Sequence, residues 1–158
     1  MIIIFLIVFA LALTFGGVLL RGAPYVPTLS KQGHSALELL SLKPGETLLE
    51  LGSGDGKVLV LAARSGLNVV GVELNPLLVI VSWLRTRRYR KQVRIIWGDF
   101  WRVDWPECDG VFTFLLDRFM AKLDKRMQGS GKPLVSFAFQ VPGRKADAQK
   151  DGVYLYRY

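Results

Sequence analysis

The stretch LLELGSGDGK, residues 48–57, constrains the fold of this chain more than any other. An apolar strand-like segment precedes it, three glycines follow at alternate positions, Gly52, Gly54 and Gly56, and a helix-like segment comes next. Glycine lets the backbone turn tightly and approach a ligand, and the first turn of a helix offers free amide groups. The stretch therefore predicts a strand, a ligand-binding loop and a helix in succession.

The rest of the chain alternates strand-like and helix-like segments without internal repeats, which is typical of an α/β fold with a doubly wound, Rossmann-like parallel sheet. We expect only one clear strand after residue 139, lying at an edge of the sheet. The predicted strands are 47–51, 68–74, 93–99, 109–116, 133–139 and 152–158, and the predicted helices are 30–41, 57–66, 77–92 and 117–128. The helix over 77–92 is apolar in its first half, which we expect to be buried, and basic in its second.

Residues 1–20 contain no charged side chain. As a helix they would extend roughly 30 Å, which matches the hydrocarbon core of a bilayer. We interpret them as a transmembrane anchor, although a cleaved signal peptide and a buried helix are the alternatives. The basic chain that follows favours a single-pass protein with its domain on the cytoplasmic, or mitochondrial matrix, side. The predicted organisation is an anchor at 1–20, a linker at 21–29 and one compact domain at 30–158.

The net charge of +8 suits anionic lipid, nucleic acid or an acidic protein, and does not distinguish among them. The basic cluster Arg85–Lys91 could bind RNA, but a solvated helix end or a lipid-contact patch is the favoured interpretation, since only Tyr89 supplies an aromatic ring there. Cys108 is the only cysteine, so an intrachain disulfide and a cysteine-rich zinc site are both excluded. We predict no metal site.

Two acidic residues follow the glycine loop at the ends of later strands. Glu73 lies close to the spacing of about 20 residues at which an acid binds ribose hydroxyls in this architecture. Asp99 is followed by Phe100, which suits an adenine amino group and a covering ring. A dinucleotide fingerprint would require glycine where Lys57 stands, so a cofactor without a pyrophosphate, and with positive charge, fits better.

These residues resemble the cofactor motifs of class I S-adenosylmethionine (SAM) methyltransferases, in order and in spacing. The resemblance implies that the glycine loop and its preceding acid hold the methionine end, Glu73 the ribose, and Asp99 the adenine. The cofactor-binding set that it implies is Glu50, Gly52, Ser53, Gly54, Asp55, Gly56, Glu73, Asp99 and Phe100.

The flanking segments are similar to a family of small protein-lysine methyltransferases, with archaeal members of broad specificity and mitochondrial members that act on the ATP synthase c-subunit and the adenine nucleotide carrier. The most distinctive segment is PYVPT, which the resemblance places in a lid over the methyl-transfer site: Pro24, Tyr25, Val26, Pro27 and Thr28. Tyr25 and Thr28 are candidates beside the reacting groups, and no general base is assigned. Asp117 and Arg144 depart from the family pattern.

The expected function is therefore methyl transfer from SAM to lysine side chains of a membrane or membrane-associated protein. The alternatives are a non-catalytic, membrane-tethered SAM-binding or assembly protein, and a methyltransferase for RNA or a small molecule. Nucleic acid is the less favoured partner, because the DPPY-type motif of base amino-methyltransferases is absent.

Overall fold

A computed structural model describes residues 1, 2 and 30–158. Four α-helices and seven strands alternate along the second range, with a short 3-10 helix at Arg87–Tyr89. The helices are α1 Ser30–Leu40, α2 Lys57–Arg64, α3 Pro76–Thr86 and α4 Asp117–Met127. The strands are β1 Thr47–Leu51, β2 Asn68–Glu73, β3 Val93–Trp97, β4 Gly110–Thr113, β5 Pro133–Phe137, β6 Ala148–Lys150 and β7 Val153–Arg157.

All seven strands form one sheet in the order β3-β2-β1-β4-β5-β7-β6. Strands β1 to β5 pair in parallel, and β7 is antiparallel to both of its neighbours. The predicted α/β sheet with its helical crossovers is confirmed. Because β1 lies between β2 and β4 and is parallel to both, the carboxyl ends of these three strands meet at one edge.

The end of the sheet differs from the prediction, because two strands follow β5 and the last one is internal. Strand β6 pairs with β7 and occupies the edge in its place. It is short, and its residues Ala148 to Lys150 lack an apolar alternation, so hydrophobic periodicity misses it. The signal was in the turn, where Asp151 and Gly152 both have positive φ, as a two-residue hairpin of the Asp-Gly type requires.

Alternate residues of the central strands face two separate apolar cores. Leu48 packs with α1 and α2 on one face, and Leu49 and Leu51 pack with α4 on the other. Arg144, one of the departures from the family pattern, joins the second face to the last strand. Its guanidinium contacts the Asp124 carboxylate at 3.2 Å and donates to the Arg157 carbonyl at 2.6 Å.

Helix α3 contradicts the expectation that its apolar half is buried. It ends at Thr86. Its apolar side chains Ile80, Val81, Trp83 and Leu84 are exposed, whereas the polar Ser82 between them is fully buried. The reason is the glycine loop. A Cβ atom built on Gly56 would lie only 2.4 Å from the Ser82 hydroxyl oxygen, so α3 presents its small polar side chains to the loop and turns its apolar ones outward.

Within residues 1, 2 and 30–158, no helix has the length and apolar character needed to cross a membrane. The predicted anchor beyond its first two residues, and the whole linker at 21–29, lie outside the described residues.

Candidate functional site

The glycine loop leaves the carboxyl end of β1 in a left-handed backbone conformation. Gly52, Gly54 and Gly56 have φ values of 78°, 54° and 78°, which side chains with a Cβ rarely adopt. A Cβ atom built on Gly52 would meet nothing within 4 Å, whereas the one on Gly56 would collide with α3. Gly52 therefore borders open space where a ligand can approach the backbone, and Gly56 allows close packing of the helix.

Glu73, at the end of β2, fastens the glycine loop to the start of α3. One carboxylate oxygen accepts from the Gly54 amide at 2.8 Å, and the other accepts from the Asn75 amide at 2.7 Å. Burial raises the pKa of Glu73, and these backbone hydrogen bonds oppose that rise. Each carboxylate oxygen has a further lone pair, so the predicted contact with ribose hydroxyls stays a prediction that this arrangement permits.

Glu50, in β1, is buried beneath the loop with only 4% of its surface exposed. Its Oε2 atom has no hydrogen-bond partner among the described residues. Burial, and then the neighbouring carboxylates of Glu73 and Asp55, raise the pKa of Glu50 well above its usual range. A buried, unpaired acid is costly for the fold, and a cationic hydrogen-bond donor such as an ammonium group would relieve it.

Two further polar atoms at the same edge of the sheet lack partners among the described residues. They are the Ser53 hydroxyl oxygen, in the loop after β1, and the Asn75 side-chain amide nitrogen, just after β2. The Asn75 oxygen is already used, because it caps α3 by accepting from the Leu77 amide at 2.9 Å. Together with Glu50, these atoms provide an acceptor, a hydroxyl and a donor near the ends of two neighbouring strands, which is the set of groups that the amino-acid end of SAM requires.

Asp55, in the glycine loop, is engaged by two cations. Its carboxylate forms ion pairs with Arg85 of α3 and, at 3.5 Å, with Lys57. Arg85 also donates to the Asp55 carbonyl at 2.9 Å. These contacts tie the loop to α3, and a direct contact between Asp55 and the cofactor stays a prediction.

The segment after β3 contains the predicted adenine site. One Asp99 oxygen accepts from the Trp101 amide at 2.9 Å, and the other faces Arg102 at 3.6 Å. The Phe100 and Trp101 rings lie 4.8 Å apart, centre to centre. Asp99 and Phe100 are partly exposed, so both remain accessible to a ligand at this edge.

Arg126 of α4 holds this segment in place, and the sequence prediction missed it. Its guanidinium donates to the carbonyls of Phe100, Trp101 and Val103 at 3.0, 3.0 and 3.1 Å. It also lies 4.2 Å from the centre of the Trp105 ring. In sequence it is one of several charges on an amphipathic helix, and nothing in the pattern distinguishes an arginine that turns back toward a loop.

An aromatic cluster lies beside the cofactor residues, where β4 and β5 end. The Phe114 ring centre is 4.6 Å from that of Phe137 and 6.3 Å from that of Phe139. All three side chains are partly exposed. Because β4 is the neighbour of β1, the cluster forms a wall at the same edge as Glu50.

The predicted lid, Pro24 to Thr28, with the candidates Tyr25 and Thr28, lies outside the described residues. The single histidine, His34, is an exposed side chain of α1, as the sequence suggested.

Residues 50–148 match the ANTKMT methyltransferase domain family, which agrees with the resemblance seen in the sequence. The chain is 34% identical over 109 residues to the lysine N-methyltransferase of the ATP synthase c-subunit from Homo sapiens, covering 66% of this chain and 46% of that protein. It is 30% identical over 149 residues to a protein-lysine N-methyltransferase of Saccharolobus islandicus, covering 84% of this chain and 92% of that protein.

A solved structure shares the fold closely. The RNA methyltransferase of Salinibacter ruber, in complex with S-adenosylhomocysteine, is 30% identical and covers 84% of this chain and 92% of its own, with a TM-score of 0.76. The chain spans about half the length of the vertebrate relatives that it matches. Its glycine loop, its buried acid and its matched region together show that the chain belongs to the SAM-dependent ANTKMT methyltransferase domain family.

Proposed function

We propose that this chain transfers methyl groups from SAM to lysine side chains of a membrane or membrane-associated protein. The observation that carries the proposal is the buried Glu50 carboxylate, which lies beneath the loop where Gly52 leaves open space and has an oxygen without a partner among the described residues. The lysine substrate is supported by the two relatives named as lysine methyltransferases, which resemble the chain over most of its domain. The membrane location is supported by the uncharged run at residues 1–20.

The residues of the chain divide the binding of SAM among three strand ends. Glu50 and Ser53 would hold the amino-acid end, Glu73 the ribose, and Asp99 with Phe100 the adenine. When bound, SAM supplies an electrophilic methyl group on a positively charged sulfur. A cluster of carboxylates at this edge favours that charge.

The acceptor lysine requires orientation more than acid–base catalysis. Its amine must be neutral when it attacks, so its proton leaves to solvent before the transfer, and alignment with the methyl group provides most of the remaining acceleration. Phe114, Phe137 and Phe139 offer a wall for the lysine chain. Their ring faces would also attract the cationic methylated product.

Methylation of RNA is the second candidate, favoured by the Salinibacter neighbour and by the basic Arg85–Lys91 cluster. The segment after β4 argues against it. It contains Phe114, Leu115, Leu116 and Asp117, and so it lacks the DPPY-type motif of base amino-methyltransferases.

The cofactor part is tested by two matched glycine substitutions. Gly52 and Gly129 have φ values of 78° and 75°, and an added Cβ at either would meet nothing within 4 Å. Gly52→Ala and Gly129→Ala should therefore destabilise the chain alike, by about 1 kcal/mol. Calorimetric titration with SAM should show a loss of affinity of about tenfold or more for Gly52→Ala alone. Equal affinities in the two variants would contradict the proposed site.

The acceptor class is tested by incubating the chain with radiolabelled SAM and with separate membrane and soluble extracts. We expect label in the membrane fraction that protease removes and nuclease leaves, and methylated lysine on hydrolysis. Label that nuclease removes and protease leaves would contradict a lysine acceptor and favour RNA.

Glu50 gives a pH-dependent test. Its pKa is raised in the folded, ligand-free chain, so binding of a cation should favour the ionised form and release a proton. SAM affinity should rise with pH until the raised pKa is passed and then stay constant. Calorimetry in buffers of different ionisation enthalpy measures the released proton, and Glu50→Gln should lose both the proton release and the pH dependence. A pH-independent affinity in the parent chain would contradict this role.

The same shift has a consequence for stability. Because the folded pKa of Glu50 lies above the unfolded value of about 4.3, ionisation of this group opposes folding. Its contribution to the free energy of unfolding decreases as pH rises from the unfolded to the folded pKa. Glu50→Gln should therefore stabilise the ligand-free chain at neutral pH, measured by urea denaturation, while weakening SAM binding.

A further inference from the structure

Helix α3 turns apolar side chains to solvent. Ile80, Val81, Trp83 and Leu84 are 55%, 41%, 51% and 49% exposed. Three of them, Ile80, Trp83 and Leu84, follow the i, i+3, i+4 spacing that places side chains on one face of a helix. Scattered exposed apolar residues are ordinary, but a contiguous apolar face on a helix indicates an interaction surface.

A basic pocket adjoins this face. It has a volume of about 430 Å³ and is lined by Val60, Arg64, Leu84, Arg85, Arg87, Arg88 and Tyr89. None of these lining residues is acidic. Arg64 donates to the Tyr89 hydroxyl at 3.2 Å, and Arg85 is engaged with Asp55. The side chains of Arg87 and Arg88 are exposed and form no hydrogen bond or ion pair with the described residues, so both guanidinium groups are open to an anion.

The apolar face and the basic pocket are one continuous surface, which we call the α3 surface. Leu84 belongs to both parts. Arg90 borders the apolar face, because its guanidinium lies 5.0 Å from the centre of the Trp83 ring. An apolar stripe with tryptophan, bordered by arginines, is the pattern of a helix that lies in the interface of a bilayer.

We propose that the α3 surface docks on a bilayer of anionic phospholipid, with Arg87 and Arg88 binding a phosphate headgroup and the apolar face entering the interface. The net charge of +8 complements such a membrane. Nucleic acid would use the arginines but would leave Ile80, Val81 and Leu84 without a partner. A bilayer uses both parts of the surface.

This docking differs from the predicted anchor, because it uses residues of the folded domain. It also orients the domain. Helix α3 begins at Pro76, directly after Asn75 and beside the carboxyl edge where the predicted cofactor residues meet, so a helix lying along the membrane keeps one side of that edge near the lipid headgroups. The inference rests on the membrane location proposed above, but its test does not use methyl transfer, so either can fail without the other.

The test uses the full chain with an environment-sensitive fluorophore on a single cysteine. Ile80→Cys, in a Cys108→Ala background, places the probe on the α3 surface, and Lys125→Cys places it on α4, across the sheet. The membranes are vesicles of phosphatidylcholine, either alone or mixed with phosphatidylglycerol. Each composition is used with and without brominated acyl chains. We expect a blue shift and quenching by bromine at position 80 alone, and only with the anionic lipid.

A charge pair provides the matched comparison. Arg87→Gln with Arg88→Gln removes two charges from the pocket, and Lys125→Gln with Lys145→Gln removes two exposed charges elsewhere. Each charge near the membrane contributes about 1 kcal/mol to binding, so the first pair of substitutions should lower the ratio of docked to undocked protein about thirtyfold. The second pair should leave it nearly unchanged. Retained SAM binding shows that each variant is folded.

Four results would overturn the proposal. The first is an emission at position 80 that vesicles do not change, and the second is an equal response at positions 80 and 125. The third is a blue shift that is as large with neutral lipid as with anionic lipid and that stays the same when Arg87 and Arg88 are replaced. The fourth is arginine-dependent binding of a single-stranded RNA oligonucleotide without a lipid response, which would assign the pocket to nucleic acid. If the fluorophore at position 80 is already shielded from water without lipid, and vesicles do not change its emission, the outcome counts as the first result. It would indicate that residues 3–29 or a second copy of the chain cover this face.

Discussion

Helices α3 and α4 have the same length, 11 residues, and opposite packing. Helix α4 buries Met120, Leu123 and Met127 and exposes most of its charged side chains, as amphipathic periodicity predicts. Helix α3 buries Ser82 and Thr86 and exposes isoleucine, valine, tryptophan and leucine. Packing of its apolar face therefore determines the position of α4, whereas packing against the glycine loop determines the position of α3.

Each helix also supports one half of the predicted cofactor site through an arginine. Arg85 of α3 reaches the Asp55 carbonyl in the glycine loop. Arg126 of α4 reaches three carbonyls in the segment that contains the predicted adenine residues. The two helices therefore pack in different ways, but both hold a loop of the predicted cofactor site in place.

The largest expected effect is in the core of α4. Leu123 is completely buried, so Leu123→Ala should reduce the free energy of unfolding by about 2–5 kcal/mol, through lost apolar burial and a cavity. Urea denaturation measures the change. Lys125→Ala, on the exposed side of the same helix, is the control and should stay within about 0.5 kcal/mol of the parent. A small effect of Leu123→Ala would mean that α4 is not placed by its apolar face.

The next effect concerns the arginines. Arg126→Lys keeps the charge but cannot donate to three carbonyls from one planar group. Loss of charge-assisted hydrogen bonds, at about 1.5–3 kcal/mol, should weaken SAM binding by tenfold to a hundredfold. Arg85→Lys can keep its ion pair with Asp55, so this variant should weaken SAM binding only about threefold. Calorimetric titration compares the two, and an equal loss would show that the helices support the site alike.

A smaller effect is expected when the buried face of α3 is made apolar. Ser82→Leu places a large side chain where the Ser82 backbone already lies 3.1 Å from the position of a Gly56 Cβ. Overpacking should cost about 1–3 kcal/mol and lower SAM affinity by displacing the glycine loop. Ala121→Leu, a comparable enlargement on the exposed side of α4, is the control. An increase in stability from Ser82→Leu would show that α3 has an ordinary amphipathic packing.

The same contrast separates what the sequence predicts from what it does not. The strand, loop and helix around Gly52, and the acid Glu73, follow from local chemistry, since a glycine loop and a carboxylate at the next strand end have few other uses together. Glu50 follows from the family resemblance. The outward apolar face of α3 and the inward turn of Arg126 depend on tertiary contacts between segments distant in sequence. Periodicity describes one helix at a time, so it predicts α4 correctly and α3 wrongly.

The smallest expected effect is at Leu84, and it distinguishes the two helices most directly. In α4 a leucine on the apolar stripe supports the fold, but in α3 the Leu84 side chain is half exposed, and its loss removes little apolar burial. Leu84→Ser should change the free energy of unfolding by less than about 0.5 kcal/mol, the usual range for surface positions, and should leave SAM affinity unchanged. Urea denaturation of the full chain, compared with Leu123→Ser, measures the contrast. A loss above about 2 kcal/mol at Leu84 would mean that another part of the chain covers this face and that α3, like α4, is placed by its apolar side chains.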